Sequence, residues 1–192
     1  MTTIAVARKS GHIAIAADTL TKWGSAKESA QYIVNHEKIL RVRDTFLAIT
    51  GTTTFKLILE DYFAQPRVYA RFSNVREIFR TWHRMHAALK EKYYLQPEED
   101  KEDALESSRM DVLIANANGI FGVAAHRTVQ EFGRFYAFGS GSDYALGAMY
   151  SVYDEADRSA EDIARHAIQT AAEFDDGTAL PITSYCIRRK KI

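Results

Sequence analysis

The chain has 192 residues, which is long enough for one domain with a sizeable hydrophobic core. Its 25 lysines and arginines balance 25 aspartates and glutamates, so neither nucleic acid nor an anionic membrane is expected as its main partner. The single cysteine, Cys186, excludes an intrachain disulfide framework, and no apolar run is long enough to span a bilayer. We therefore expect one domain over residues 1–192, without a leader or a membrane span, in the cytoplasm.

The first eighteen residues form two short runs of alternating apolar residues around a polar break at 9–11, which predicts a β-hairpin. Met1 precedes a small residue, a setting in which the initiator methionine is commonly removed. Removal would leave Thr2 with a free α-amine, whose ordinary pKa of about 7.7–8.0 makes it partly neutral at physiological pH. A threonine paired with its own α-amine is a known activated nucleophile. The alternative is that Thr2 and Thr3 are ordinary strand residues.

The next part of the chain is expected to contain a loop, a hairpin and a helix. Residues 19–30 have weak periodicity and several small polar residues, which indicates mostly loop. Two apolar runs predict a second hairpin over 38–50. Residues 51–54, Gly-Thr-Thr-Thr, break the strand and supply an N-cap for a helix that ends at Pro66.

A second helix is predicted from 73 to about Tyr94, because its apolar residues recur at helical spacing. The acidic segment 96–103 follows, and we expect a solvated connector there. Strands are predicted at 111–117 and 120–126. They are joined by Asn118-Gly119, a strong signal for a two-residue hairpin turn.

The last third of the chain is expected to hold another strand pair, at 128–132 and 134–138, followed by two helices and a strand. One helix starts near Asp143, and the other is capped by Ser159. The final strand is predicted at 182–187. The order of elements, with runs of strands followed by runs of helices, indicates an α+β fold of about nine strands in two packed sheets with helices outside each.

Lys38 and Asp18 are the charged residues whose positions suggest chemistry. A lysine at the start of a strand usually reaches out to solvent, but it could also be buried beside Thr2, where its charge would lower the pKa of a neighbouring amine. Asp18 ends a run that has Ala14 and Ala16 on its face. That setting suits either a paired carboxylate or the start of a turn.

Other site types receive little support. Gly139-Ser-Gly-Ser142 precedes a helix, but no Gly-Lys-Ser/Thr follows, so a nucleotide site is not indicated. His83 and His86 are three residues apart on a helix without a matching ligand cluster, and we interpret them as a partly buried surface pair. No metal and no cofactor is therefore expected.

Several segments together resemble one family of proteins. They are Thr2-Thr3, Ala16-Ala-Asp18, Asn35-His-Glu-Lys38-Ile-Leu-Arg-Val, Ile49-Thr-Gly51 before a helix, and Gly139-Ser-Gly-Ser-Asp-Tyr-Ala-Leu146. In this order and approximate spacing, the chain resembles a proteasome-type β subunit and is similar to bacterial relatives of the HslV peptidase, among the N-terminal-nucleophile hydrolases. The segment 19–37 and the acidic segment 96–106 are longer than in HslV, which points to one of the divergent bacterial proteasome homologues.

This resemblance implies a four-layer αββα sandwich and a set of site residues. Thr2 would be the nucleophile, with Asp18 and Lys38 as its paired activating groups. Gly51 would donate its backbone N–H to the oxyanion.

The same resemblance implies supporting and substrate-binding residues. Ser140 would hydrogen-bond near the Thr2 amine, and Asp175 and Thr178 would support that amine. Thr21 and Ile49 would line the substrate cleft, with Ile49 facing the side chain before the scissile bond.

The implied function is that of a self-compartmentalising threonine endopeptidase acting on peptides or unfolded proteins. By resemblance, the chain would form a homo-oligomer of two stacked rings, 12 or 14 subunits in all. A regulatory AAA+ ATPase would be a separate chain. Two alternatives remain: a catalytically latent structural ring subunit, and an amidase of the same nucleophile class that acts on small amides.

Overall fold

The computed structural model describes residues 2–96 and 104–190, which contain eleven strands and four helices. The strands are β1 (Thr3–Lys9), β2 (His12–Asp18), β3 (Thr21–Trp23), β4 (Ala26–Glu28), β5 (Ile39–Val42), β6 (Thr45–Ile49), β7 (Val112–Asn116), β8 (Gly119–Val123), β9 (Val129–Phe132), β10 (Phe135–Gly139) and β11 (Ile182–Arg188). The helices are α1 (Thr54–Ala64), α2 (Val75–Lys92), α3 (Ser142–Val152) and α4 (Ala160–Phe174).

Two antiparallel sheets form the centre of the fold. One has the strand order β10-β1-β2-β11, and the other has the order β5-β6-β7-β8-β9. Their inner faces share a core in which Ile4, Ile15 and their neighbours pack with Leu113 and Ile120. β1 and β2 are buried on both faces, and the alternation along them is between large and small apolar side chains.

Helices cover the outer face of each sheet. Helices α1 and α2 pack on the five-stranded sheet through Leu59, Trp82 and Met85. Helices α3 and α4 pack on the four-stranded sheet. The order of layers is therefore helix, sheet, sheet, helix, and the expected αββα sandwich is confirmed.

The contact between α4 and the four-stranded sheet is made mostly of alanines. Alternation along β1 and β2 places Ala5, Ala7, Ala14 and Ala16 on this face, and α4 contributes Ala164 and Ala167 among others. We call this contact the alanine layer. Small side chains allow the helix to lie close to the sheet, and α4 ends at Phe174, directly before Asp175.

The segment 19–30 differs from its prediction as mostly loop. It contains β3 and β4, which form a separate two-stranded hairpin that turns at Gly24. Each strand has three residues and is largely exposed, so no apolar period marks it in the sequence.

The predicted pairing of 128–132 with 134–138 is wrong. β9 pairs with β8 in the five-stranded sheet, whereas β10 pairs with β1 in the four-stranded sheet. The chain crosses between the sheets at Gly133, and Phe132 stacks on Tyr136 with ring centroids 4.1 Å apart. The short spacing imitates a hairpin in sequence, but the two strands belong to different layers.

One predicted turn shifts by a residue, and the N-cap of the first helix falls within the predicted segment 51–54. The loop between β7 and β8 is Ala117-Asn118, because Gly119 pairs with Asn116. The Asn116 side chain is buried and accepts a hydrogen bond from the Asn118 backbone N–H, which stabilises that turn. At the start of α1 the N-cap is Thr53, without a side-chain hydrogen bond.

The cap of α4 is confirmed as predicted. The Ser159 side chain accepts from the Asp162 backbone N–H, and the Asp162 side chain accepts from the Ser159 backbone N–H. His83 and His86 do not form a pair: His83 stacks on Phe79 at the surface, whereas His86 is buried.

Of the acidic connector predicted at 96–103, all but Gln96 lies outside the described residues, as does Met1. The helices formed by residues 2–96 and 104–190 include none long and apolar enough to cross a membrane.

Candidate active site

Thr2, Lys38 and Asp18 meet at one end of the four-stranded sheet. The Lys38 ammonium donates to Thr2 Oγ1 at 2.8 Å and to Asp18 Oδ1 at 2.8 Å. Thr2 is 4% exposed and Asp18 is fully buried. A largely buried lysine therefore links a fully buried carboxylate to the hydroxyl of Thr2.

The strand register explains this meeting. β1 and β2 are paired so that Ile4 lies opposite Ala17, which brings the start of β1 beside Asp18 at the end of β2. Lys38 comes from the other sheet, directly before β5. The sandwich thus brings Thr2 and Lys38, which are 36 positions apart in sequence, within hydrogen-bond distance of each other.

Asp18 is held by four donors. Its Oδ1 accepts from the Thr3 backbone N–H at 3.0 Å and from Lys38, and its Oδ2 accepts from Leu20 N–H at 3.0 Å and Ala179 N–H at 3.4 Å. Burial raises the pKa of Asp18, and the Lys38 charge and the backbone N–H groups oppose that rise. Every carboxylate oxygen is used, so the side chain has one orientation.

Burial and nearby carboxylates act in opposite directions on the pKa of Lys38. Removal from water lowers the pKa of the Lys38 ammonium below its ordinary value, while the charges of Asp18 and Asp175 act in the opposite direction. The side chain is 13% exposed. A lysine in this setting is a strong hydrogen-bond donor to the Thr2 hydroxyl.

A second network supports the start of β1. Ser140 Oγ donates to Asp175 Oδ2 at 2.7 Å, and Thr178 Oγ1 donates to the same oxygen at 2.6 Å. Thr3 Oγ1 lies 2.5 Å from Thr178 Oγ1 and accepts from the Gly141 backbone N–H at 3.2 Å. Since each hydroxyl has one proton, the donors run in one direction from Gly141 through Thr3 and Thr178 to Asp175.

The backbone of Thr2 joins this network, because the Ser140 N–H donates to the Thr2 carbonyl oxygen at 2.9 Å. Gly139, opposite Thr3 in the register, has a φ of +105°, and a Cβ there would overlap the Thr2 carbonyl. A residue with a side chain at 139 would push the start of β1 out of place.

Sequence reasoning named Ser140, Asp175 and Thr178 but missed Thr3. Its hydroxyl is fully buried and joins the two sides of the network. The repeated threonine at positions 2 and 3 was the available signal, but it reads equally well as ordinary strand. Asp175 faces the network, whereas the adjacent Asp176 is exposed and forms an ion pair with Lys22.

A cleft opens beside Thr2. Its lining includes three residues expected there, Thr21, Ile49 and Gly51, together with Lys38. It also includes residues that were not predicted: Leu20, Lys22, Trp23, Asn35, His36, Glu37, Thr52, Thr53 and Lys56.

Gly51 has the backbone geometry of a residue that presents its main chain to the cleft. Its φ is +99°, and a Cβ would lie 2.9 Å from the Arg109 carbonyl oxygen. Glycine is therefore required at position 51 both for the left-handed backbone and for the close approach of the Arg109 carbonyl oxygen.

The residues described include no group of three histidine, cysteine or carboxylate side chains that could hold a metal. The chemistry that this arrangement supports is attack by a hydroxyl on a carbonyl, with a lysine at the attacking oxygen.

Comparison with known proteins gives a consistent result. No family model and no curated protein matches the chain. Among solved structures, Thiobacillus denitrificans BPH is 59% identical over 98% of this chain and 99% of its own, with a TM-score of 0.94. The Thiobacillus denitrificans BPH complex with epoxomicin is 58% identical over 99% of this chain and all of that chain, also with a TM-score of 0.94. Eukaryotic HslV from Trypanosoma brucei is 18% identical over 98% of this chain and all of its own, with a TM-score of 0.70, and shows a shared fold.

Proposed function

The chain belongs to the proteasome β-subunit and HslV family, as a divergent bacterial proteasome homologue, and from this premise we propose that it is a threonine-type endopeptidase. The proposed nucleophile is Thr2 after removal of Met1. One observation carries the proposal: Lys38 Nζ lies 2.8 Å from Thr2 Oγ1 and 2.8 Å from Asp18 Oδ1. A lysine in this position stabilises negative charge that develops on the attacking oxygen.

In the proposed reaction, the Thr2 hydroxyl gives its proton to its own α-amine, directly or through a water. Oγ1 then attacks the carbonyl carbon of a peptide bond, and the oxyanion accepts a hydrogen bond from the Gly51 N–H. The C–N bond breaks as the proton passes from the α-ammonium to the leaving amine. Water hydrolyses the remaining ester and restores the Thr2 hydroxyl.

The other residues have positioning or binding roles in this proposal. Asp18 orients Lys38, and Ser140, Asp175 and Thr178 fix the start of β1 around Thr2. Thr21 and Ile49 line the cleft in which the substrate lies, and Ile49 faces the side chain before the scissile bond.

The proposed substrates are peptides and unfolded proteins, and the proposed assembly is a homo-oligomer of two stacked rings in the cytoplasm. Rings of six or seven subunits give 12 or 14 copies with the active sites inside. Any AAA+ ATPase that feeds such a chamber is a separate chain.

The first test is the intact mass of the purified protein before and after incubation with epoxomicin, the inhibitor present in the complex of the 58% identical BPH. Loss of Met1 and one adduct per chain is the expected result. Thr2→Val keeps the shape of the side chain without the hydroxyl and should lose both the adduct and peptide hydrolysis. Thr2→Ser is the matched control, because it keeps the hydroxyl and should keep the adduct.

The alternatives predict different results. Retained Met1 without an adduct would replace the proposal by the latent structural ring subunit. A processed Thr2 with no adduct, or normal hydrolysis by Thr2→Val, would overturn Thr2 as the nucleophile. A mass in solution near the 21.7 kDa of one chain would favour the amidase of small amides, which needs no enclosed chamber.

A further inference from the structure

We propose that Trp23 is a specificity-determining residue, forming an apolar wall of the cleft that selects peptides with an aromatic or branched aliphatic side chain at one position near the scissile bond. This inference rests on the proposed function, because it assigns the substrate class of the same cleft. Trp23 is the last residue of β3, at the turn of the β3–β4 hairpin.

The exposure of Trp23 is the first observation. Trp23 is 58% exposed, whereas the other tryptophan, Trp82 on α2, is fully buried in the core. A tryptophan carries a large apolar surface, and when it is exposed in a concave site it is available to a ligand. Trp23 lines the same cleft as Thr2 and Ile49.

The indole ring is held in place before any substrate arrives. Trp23 Nε1 donates to Glu28 Oε2 at 3.0 Å, across the β3–β4 hairpin. Its direct neighbour in the register is Ala26, whose methyl group leaves most of the indole uncovered. A ring fixed in this way loses little conformational entropy on binding.

The hairpin itself is fixed by Lys22, the residue between Thr21 and Trp23, which also lines the cleft. Lys22 forms an ion pair with Asp176, in the loop between α4 and β11. The hairpin is thereby tied to the body of the protein, and Trp23 acts as a wall and not as a loose flap.

The chemistry of the wall indicates the ligand. Leu20 and Ile49 also line the cleft but are only 3% and 6% exposed, so the accessible apolar surface of these three residues belongs mainly to Trp23. A large apolar side chain placed against the indole removes both surfaces from water, and apolar contacts of this kind discriminate by about 10- to 200-fold in kcat/KM. A small or polar side chain at the same position gains less.

The first experiment compares Trp23→Ala with the unchanged protein on fluorogenic peptides that differ by Phe or Ala at one position at a time. At one position, Trp23→Ala should raise KM for the Phe peptide about tenfold, while kcat and the values for the Ala peptide change less than about twofold. Trp23→Phe should restore most of the preference. The matched control is Tyr32→Ala, an exposed aromatic of the same segment outside the cleft lining, which should change neither peptide.

The second experiment measures binding without chemistry. In Thr2→Val combined with Trp82→Phe, Trp23 is the sole tryptophan, and its emission should shift to shorter wavelength on titration with the Phe peptide but not with the Ala peptide. An unchanged preference in Trp23→Ala, or calorimetric binding of the Phe peptide without an emission change, would overturn the role of Trp23. The two proposals fail separately: hydrolysis by Thr2→Val overturns the nucleophile, while an emission shift with the same peptide still supports Trp23.

Discussion

Replacing Asp18 by asparagine tests the central charge pair of the site with almost no change in shape. All four groups that surround the carboxylate are donors: Lys38 and Thr3 at one oxygen, Leu20 and Ala179 at the other. An amide offers one oxygen and one NH2 group. In either orientation, therefore, the NH2 group of the new side chain faces two donors, and the Lys38 ammonium loses its counter-ion.

The loss of stability expected for Asp18→Asn follows from the charge that this substitution leaves on Lys38. Removing one partner of a buried ion pair typically costs about 3–5 kcal/mol, because the other charge stays buried without compensation. Asp18→Asn should therefore lower the free energy of unfolding by about that amount at pH 7. Adding Lys38→Met removes the stranded charge, so the double variant should recover more than half of the loss.

The pH dependence of the variant has a defined sign. Burial lowers the pKa of Lys38, so between its folded pKa and its ordinary value of 10.5 the unfolded chain binds more protons than the folded one. Stability then rises with pH, and the deficit of Asp18→Asn should shrink from pH 7 toward pH 10.

Urea unfolding at one fixed protein concentration, followed by Trp82 fluorescence in a Trp23→Phe background, measures these differences. Asp154→Asn is the matched control, since it also removes an aspartate from a cationic partner, Arg134, but both side chains of that pair are exposed, and its midpoint should stay near that of the unchanged protein. The reasoning is refuted if Asp18→Asn unfolds at the unchanged midpoint at pH 7, or if the double variant is no more stable than Asp18→Asn.

Two further substitutions test the support of the site and the far side of the sandwich. Gly139→Ala should lose the epoxomicin adduct at Thr2, because its left-handed φ and an overlapping Cβ displace the start of β1. Gly133→Ala is the control: no atom lies within 4 Å of its Cβ, so this variant should keep the adduct. Intact mass measures the adduct in both variants. Burial lowers the pKa of His86 despite its contact with Glu106, so the folded protein favours the neutral imidazole. The protein should therefore lose stability as the pH falls below 6.5, and urea midpoints measured from pH 5 to 8 should show this slope. A His86→Gln variant with the same slope would contradict the assignment to His86.

Local patterns in the sequence predicted most of the elements, and they failed where pairing depends on distant residues. The apolar alternation of 1–18 and the box of Ser159 and Asp162 are local signals, and both predicted elements are confirmed. β9 and β10 look like a hairpin because only two residues separate them, yet their partners are β8 and β1. The choice of partner depends on the packing of the two sheets, which no short pattern encodes.

The candidate active site likewise contains residues that the sequence predicted and residues that it did not. The resemblance pointed to Thr2, Asp18 and Lys38, and the fold brings these three within hydrogen-bond distance. Thr3 was missed because a buried hydroxyl in a network and an ordinary strand threonine look identical in sequence. Trp23 was missed because the short exposed strand that carries it has no apolar period.

The alanine layer limits how this protein can change. Its small methyl groups allow a close approach of the helix to the sheet, and α4 ends directly before Asp175, which belongs to the network around Thr3. Enlarging Ala16 or Ala167 to valine would cost about 1–3 kcal/mol through overpacking and would lift that helix end away from β1. Larger side chains are therefore disfavoured in the interior on this side of the sandwich. The layer of α1 and α2, by contrast, packs through large side chains, among them Leu59, Trp82 and Met85.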